Sequence, residues 1–412
     1  MTPEERRAFG ARVAELRNQC GLTQRDLAAE IGRTTSWLSQ VERGVQPVNR
    51  LDVLRLLADG LGVSLQDLRP DVPPSADVVD ETAPRPNDLD EARLLISGHP
   101  ALDVLLSPDA PGADEPLAVL RTEVDEAWSL AHGDRLSELS GSLGSLIPRL
   151  ERATRTADSR RRSEVYALQS RAYQALSAAF VQQNEADAAW VAADRSIAAA
   201  ERSGRVLDVF AGTFRLAHAF VRLKRYDQAD CVAQSAVVAL RRHTDHAEAS
   251  PDYLSLLGSL HLVLALVHAR SGNRAGARRE TDHARRVARQ LGEDRNDFNL
   301  EFGPTNVEIQ AVSVAVDLGD AGEALEIGER LDASGLSIER QARLALDLGR
   351  AHAQLRRVDE ALESFTKAER LAPEMVHSHV AARSAIRDLM LVAGRTAPPE
   401  LRALAQRADA MS

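Results

Sequence analysis

A chain of 412 residues exceeds what one hydrophobic core usually serves, so two or more domains are expected. Hydrophobic residues make up 44% and charged residues 27%, ordinary for a soluble globular protein, while the 4% of aromatics and the abundance of Ala, Leu and Arg favour helices. A formal net charge of −10 excludes a nucleic-acid interface spread over the whole surface but leaves room for a local one.

Met1 to Arg7 leads straight into an amphipathic helix, so no N-terminal targeting signal is expected. Phe9, Val13 and Leu16 recur at helical spacing, and Gly21 stops that helix. Thr23 caps a second helix, Gln24 to Ile31, whose inner face is Leu27, Ala28 and Ile31. After a break at Gly32, Thr34 caps a third helix running to Arg43, with Leu38 and Val41 inward, and Gly44 ends it. A fourth helix carries Leu51, Leu54, Leu57 and Leu61, and Ser64 caps a short fifth ending near Leu68. Residues 1–70 hold ten Arg against nine acids, so the acidic excess lies elsewhere.

Five short helices with a tight turn between the second and third make a helix-turn-helix arrangement. The string GLTQRDLAAEIGRTTSWLSQVERG, followed by LRLLADGLGVSLQDL, resembles the lambda-repressor-like (XRE) DNA-binding domain over residues 8–69. Arg33 and Trp37 depart from the smaller residues usual there. The resemblance implies that the third helix enters the major groove of double-stranded DNA, with Thr35, Ser36, Trp37 and Gln40 toward base edges. Gln40 would read adenine and Trp37 would meet a thymine methyl, unless Trp37 is instead a half-buried packing residue. Gln24, Thr34 and Arg43, at helix ends, would contact phosphates.

Residues 70–88 are rich in Pro and acid and read as a solvated connector, or as an acidic segment docking on the basic helices. A short helix at Asp90 to Ser97 and a Pro/Gly loop complete a linker region over 71–115. From 116 to 412, helical patterns alternate with breaks at Gly, Asn or Asp. Residues 342–374, with Leu348-Gly349, Ala361, Phe365, Ala368 and Pro373, are similar to a tetratricopeptide repeat. Ala324, Ala277, Ala229 and Ala189 align on Ala361, and a divergent helical pair spans Leu117 to Arg155. The fold class expected is therefore all-α, a five-helix DNA-binding domain followed by a tetratricopeptide-like α-solenoid, with a plain helical bundle as the alternative to the solenoid.

That register places Arg171, Gln174, Gln182, His218 and Arg222 on the concave groove. Arg270, Asn306, Asp317, Arg343, Arg350 and Gln354 continue it. Guanidinium forks and amides suit a peptide or an anionic small molecule. Arg is also the default cation here, Lys224 and Lys367 being the only lysines, so a merely solvated groove stands beside that reading. The insertion 295–306 adds Phe298 and Phe302, read as exposed recognition aromatics or as a plug between repeats.

The domain order resembles peptide-sensing regulators of Gram-positive bacteria and a group of regulators in high-GC bacteria. The resemblance implies a cytoplasmic homodimer on a two-fold operator whose repeats respond to a ligand, with Asn306 holding a peptide backbone. The rival reading is a protein-interaction scaffold, and a third is a regulator whose repeats only dimerise. No nucleophile elbow, phosphate loop or His/Cys cluster is present, so neither enzymatic activity nor a metal or cofactor is expected. His377 and His379 lie near a helix start, and His243 and His246 in a polar loop. Cys20 and Cys231 read as reduced core thiols, and Tyr253 to Val267 as a buried helix rather than a membrane span.

Overall fold

The computed structural model describes residues 3–31, 35–45, 57–58, 60–61, 63, 68, 89–98, 115–244 and 250–410. Two compact units divide the chain between Arg85 and Pro86.

In the first unit, α1 (Pro3–Gln19), α2 (Gln24–Glu30) and α3 (Thr35–Glu42) follow the expected order. Their apolar stripes close on one core of Phe9, Val13, Leu16, Leu27, Ala28, Ile31, Leu38 and Val41, joined by Leu57, Leu61 and Leu68. Leu51, Leu54, Ser64 and the acidic connector 70–88 lie outside the described residues. Thr23 caps α2 reciprocally with Asp26: its hydroxyl accepts from the Asp26 N–H at 3.2 Å, and the Asp26 carboxylate accepts from the Thr23 N–H at 3.1 Å. Cys20, beyond the last turn of α1, is exposed rather than in the core, and Cys231 is likewise exposed; both are free thiols. Cys20 follows the end of its helix and Cys231 sits off the apolar stripe of its own, which is why the core expectation fails.

The second unit, from Pro86, is a stack of helical hairpins. Its first helix, α4 (Asp90–Ser97), buries Ala92 and Ile96, and its Ala92 N–H donates to Ser140 Oγ at 2.9 Å. Seven hairpins follow among the described residues: α5 (Leu117–His132) with α6 (Leu136–Thr156), α7 (Ser159–Gln182) with α8 (Ala186–Ser203), and α9 (Val206–Arg222) with α10 (Tyr226–Thr244). Then come α11 (Pro251–Arg270) with α12 (Arg274–Leu291), α13 (Pro304–Asp317) with α14 (Ala321–Gly328), and α15 (Ile338–Gln354) with α16 (Val358–Leu371). A short α17 (Pro373–Ser378) precedes the last pair, α18 (Val380–Ala393) and α19 (Pro399–Arg407). The described residues form no β-strand, so the chain is all-α.

The hairpins share one local design. Ala189, Ala229, Ala277, Ala324 and Ala361, aligned by sequence, are all 0% exposed, because each sits where the second helix crosses the first and only a methyl fits. Five residues before each lies a turn residue in the left-handed region: Asn184, Lys224, Gly272, Gly319 and Arg356. The amide after it reaches back into the first helix, as Glu185 N–H does to Phe180 O at 2.8 Å and Asp320 N–H to Ala315 O at 2.8 Å.

First helices of successive hairpins pack on one another, α7 on α9, α9 on α11, α11 on α13, α13 on α15 and α15 on α18, and so line the inner wall. The superhelix comes round on itself: Ser378 Oγ in α17 donates to Gln182 O at the end of α7, 2.8 Å away. Of the described helices α11 alone is long and apolar enough to cross a membrane, but its side chains are packed into the solenoid core.

The insertion after α12 is a strained strap. Phe298, Asn299 and Glu301 all hold left-handed backbone, at φ 53°, 55° and 50°. Asp297 fixes it by accepting from Ser255 Oγ at 2.7 Å and Arg295 Nε at 2.8 Å, and Glu301 accepts from the Ser337 N–H at 2.9 Å. Phe302 is not an exposed recognition residue: it is 0% exposed and wedged between hairpins, so the plug reading describes it, and Phe298 is half-buried. The wedge fits because Gly258 on α11 presents no Cβ to its ring.

Candidate functional site

In the first unit the surface of α3 is set by what holds its other side. Leu38 and Val41 are 0% exposed, leaving Thr35 exposed at the helix start and Gln40 half-buried. Ser36 and Trp37 fall on α3, but their side chains lie outside the described residues, as does the whole of Thr34. Arg43, just past the helix, is exposed, and its Nε donates to Ser39 O at 3.2 Å.

Glu42 at the end of α3 is the tie point, a role that spacing alone did not reveal. It accepts from Arg17 Nε of α1 at 2.6 Å and from Gln24 Nε2 of α2 at 2.6 Å. Gly10 lets α1 cross close by, since a Cβ there would stand 2.3 Å from Val41 O. Arg17 is held above its ordinary pKa mainly by the Glu42 bond. Three helices thus converge on one carboxylate, and α3 is fixed in angle and register.

In the second unit the inner wall encloses two chambers, about 90 Å³ and about 730 Å³, which share Val221, Arg222 and Arg270. Of the residues placed on the groove by sequence, Gln182, His218, Arg222, Arg270, Asn306 and Arg343 line the inner chamber. Arg350, Asp317 and Gln354 line the outer one. Arg171 and Gln174 line neither. Arg171 donates to Asp125 of α5 at 2.6 Å, and Gln174 is buried with its amide on Ser170 Oγ at 3.2 Å. The chamber meets α7 only in its last turns, at Ala178, Val181 and Gln182, which places those two residues too early on the helix.

The lining also includes Arg215, Glu339, Arg340 and His379, which the sequence reading left out. Arg215 precedes His218 and Arg222 by three and seven positions, and Arg340 precedes Arg343 by three, so helical periodicity could have extended both stripes. His379 carries no such signal, because α15 and α18 bring it in from another hairpin.

Some of these charges are paired. Asp317 accepts from Arg270 Nε at 3.0 Å and from Arg350 Nη2 at 2.6 Å, and Arg350 Nη1 donates to Asp347 at 2.7 Å. Burial opposes the Arg350 charge, but Asp347 and Asp317 outweigh it and raise its pKa. Arg340 lies 3.4 Å from Glu301 and 3.8 Å from Glu339.

Others are not. Arg222 contacts no carboxylate among the described residues; burial, then Arg343 and Arg270, lower its pKa to about 9. Arg343 is lowered chiefly by burial, and its Nη1 faces only His379 Nε2, at 3.1 Å. Arg215 rests over the Trp128 ring, 5.0 Å from its centroid, and donates to Asn299 O at 2.8 Å; burial, then Arg340, bring it to about 9. His218 and His379 are pushed well below their ordinary value, first by burial and then by this crowd of guanidiniums. Asn306 is 2% exposed, and its Oδ1 has no hydrogen-bond partner among the described residues; nor has Gln182 Oε1.

Outside the groove, ligand atoms of His261, Glu280 and His283 lie within 4.8 Å of one another. Arg241 Nη2 stands 3.1 Å from His261 Nε2, His261 Nδ1 is 2.8 Å from Glu280, and Arg279 Nε donates to Glu280 at 3.1 Å. With Nε2 accepting from Arg241, the Nδ1–H donates to Glu280. The group then reads as an ion-pair network joining α10, α11 and α12.

Residues 8–72 match the family model described as a helix-turn-helix domain. Over nearly the whole chain, two solved structures are similar: PrgX, at 9% identity over 96% of this chain and 98% of that one, and a point mutant of PrgX, at 10% identity over 97% and 99%. Both have a TM-score of 0.22, too low to fix a shared arrangement of the helices. No curated protein matches the chain. The part of the chain assigned by likeness is therefore its first unit, a helix-turn-helix domain.

Proposed function

We propose that the protein is a sequence-specific DNA-binding transcription regulator whose solenoid dimerises and responds to an effector held in its arginine-lined groove. The observation carrying this reading is the match of residues 8–72 to a helix-turn-helix domain whose α3 is locked to α1 and α2 through Glu42. A recognition helix needs that rigidity, because base edges are read within a few tenths of an ångström. Thr35, Ser36, Trp37 and Gln40 are the base-reading residues, and Thr34 and Arg43 meet phosphates. Gln24 joins them through the second N–H of its amide, the first being taken by Glu42. One domain of this size reaches too few phosphates for tight binding, so two copies act on a two-fold operator. The protein then works in the cytoplasm on double-stranded DNA and catalyses nothing.

The test is retention of fragmented genomic DNA by the purified full chain, followed by sequencing of what is held. The parent should enrich a two-fold motif, and a Ser36→Ala, Gln40→Ala variant should lose that motif while keeping its thermal stability. No enrichment, with or without cell extract, overturns the reading in favour of a protein-capturing scaffold.

A further inference from the structure

We infer that the seam between the two chambers is a binding site for a small dianionic oxyanion, a phosphate monoester or a dicarboxylate, held by Arg222, Arg343 and His379. The inference deepens the effector part of the proposed function and rests on it only for its regulatory meaning.

The charge balance is the first argument. Across the two chambers and the carboxylates touching them, six guanidiniums (Arg215, Arg222, Arg270, Arg340, Arg343 and Arg350) face four carboxylates, those of Glu301, Asp317, Glu339 and Asp347. Lys224 and Asp388 offset each other on the outer chamber's wall. An excess of two positive charges in a confined space disfavours the empty state, and a ligand bearing two negative charges removes it.

The second argument concerns where that excess sits. Asp317 and Asp347 clamp Arg270 and Arg350, so these two form a scaffold. Arg222 borders both chambers, and Arg343 and His379 touch across their boundary. His379 also caps α18, where its Nδ1 stands 3.2 Å from the Ala382 N–H. A neutral imidazole has one acceptor nitrogen, and two donors contend for it here. With Nδ1 accepting from Ala382, the Nε2–H points at an Arg343 N–H 3.1 Å away. An oxyanion at the seam gives both donors an acceptor and ends the conflict, leaving the helix cap intact.

The third observation defines the rest of the ligand. Asn306 Oδ1, buried and without a partner among the described residues, lines the inner chamber together with Gln182 Oε1, also unpartnered. Both are acceptors, so the ligand carries a hydroxyl or amine donor beside its oxyanion. About 90 Å³ admits a few heavy atoms, which favours a small molecule over a peptide chain at this end.

The experiment uses the full chain in a non-coordinating buffer at fixed ionic strength. Thermal unfolding is followed with inorganic phosphate, sulfate, succinate or chloride, and then with short peptides bearing a free or an amidated C-terminus. Phosphate or succinate should raise the Tm by roughly 2–4 °C over chloride. Arg222→Gln and Arg343→Gln should each abolish that rise, yet raise the Tm of the unliganded protein because like charges part. The exposed Arg330→Gln should change neither. A response to phosphate alone or to succinate alone assigns the source. Equal stabilisation by all salts overturns the inference, and so does a rise only with the free-carboxylate peptide, which makes the groove a peptide site. If Arg222→Gln destabilises the unliganded protein, the guanidinium is structural and the inference falls. Operator binding measured alongside separates the two claims: loss of the anion effect with DNA binding intact removes the site and keeps the regulator.

Discussion

Gly258 allows a sharp test of how the strap is held. An ideal Cβ on this residue would lie 1.9 Å from Phe302 Cζ and 2.4 Å from Cε2, closer than any real contact, so Gly258→Ala must evict the ring or part the helices. Phe302 is wholly buried among Leu262, Ala284, Ala288 and Val307. Losing a buried Phe costs about 3–5 kcal/mol, while Ala in place of a mid-helix Gly returns about 1 kcal/mol. The net expectation is a loss of about 2–4 kcal/mol, measured by denaturant unfolding of the full chain. The double-mutant cycle isolates the cause: in a Phe302→Ala background, Gly258→Ala should become neutral or stabilising. A single variant within about 0.5 kcal/mol of the parent, or a cost that persists without the ring, refutes the wedge.

The remaining predictions touch each unit. Glu42→Ala removes the carboxylate shared by Arg17 and Gln24, Arg17 keeping Leu22 O and Asn18 Oδ1, and should cost about 1.5–3 kcal/mol in the first unit, read as an earlier thermal transition, with DNA retention falling in parallel; an unchanged transition would show that α3 is fixed by its apolar side alone. Asp317→Ala leaves Arg270 and Arg350 without their shared carboxylate, so the solenoid should lose stability and Arg222→Gln should restore part of it; no rescue would mean the guanidiniums do not repel one another. Burial, then Glu374, hold the Asp134 carboxyl up to about 7 from an ordinary 3.8. The folded state therefore binds the extra proton, and stability falls as pH rises through the interval between those values. Asp134→Asn keeps a residue suited to φ 57° and removes this loss, so its advantage at pH 8 over pH 4 should be on the order of 1–3 kcal/mol; a difference that does not vary with pH refutes it.

The all-α fold was legible because its signals are local. Thr23 and Asp26 sit three apart, the five aligned alanines mark helix crossings, and the turns before them carry Asn or Gly in three of five hairpins. The groove was half legible for the same reason: helical spacing locates Arg222 from His218 but cannot say where along α7 the chamber begins, so Arg171 and Gln174 fall before its walls. His379 and Glu42 were invisible as site residues. Their roles depend on which helices meet, through contacts 36 and 25 residues apart in sequence, and no periodicity carries that information.

The bond between Ser378 and Gln182 spans 196 residues. A row of hairpins held only by neighbours can fray from either end, each repeat melting at its own free energy. Joining the end of α7, in the second hairpin, to α17, just before the last, makes a loop whose closure entropy is lost once and regained only when that junction opens. The expected outcome is that the intervening hairpins unfold as one unit, read as a single steep transition with slow amide exchange even far from the centre. Gln182 lines the inner chamber as well as forming that junction, so the chamber keeps its wall only while the ring stays closed.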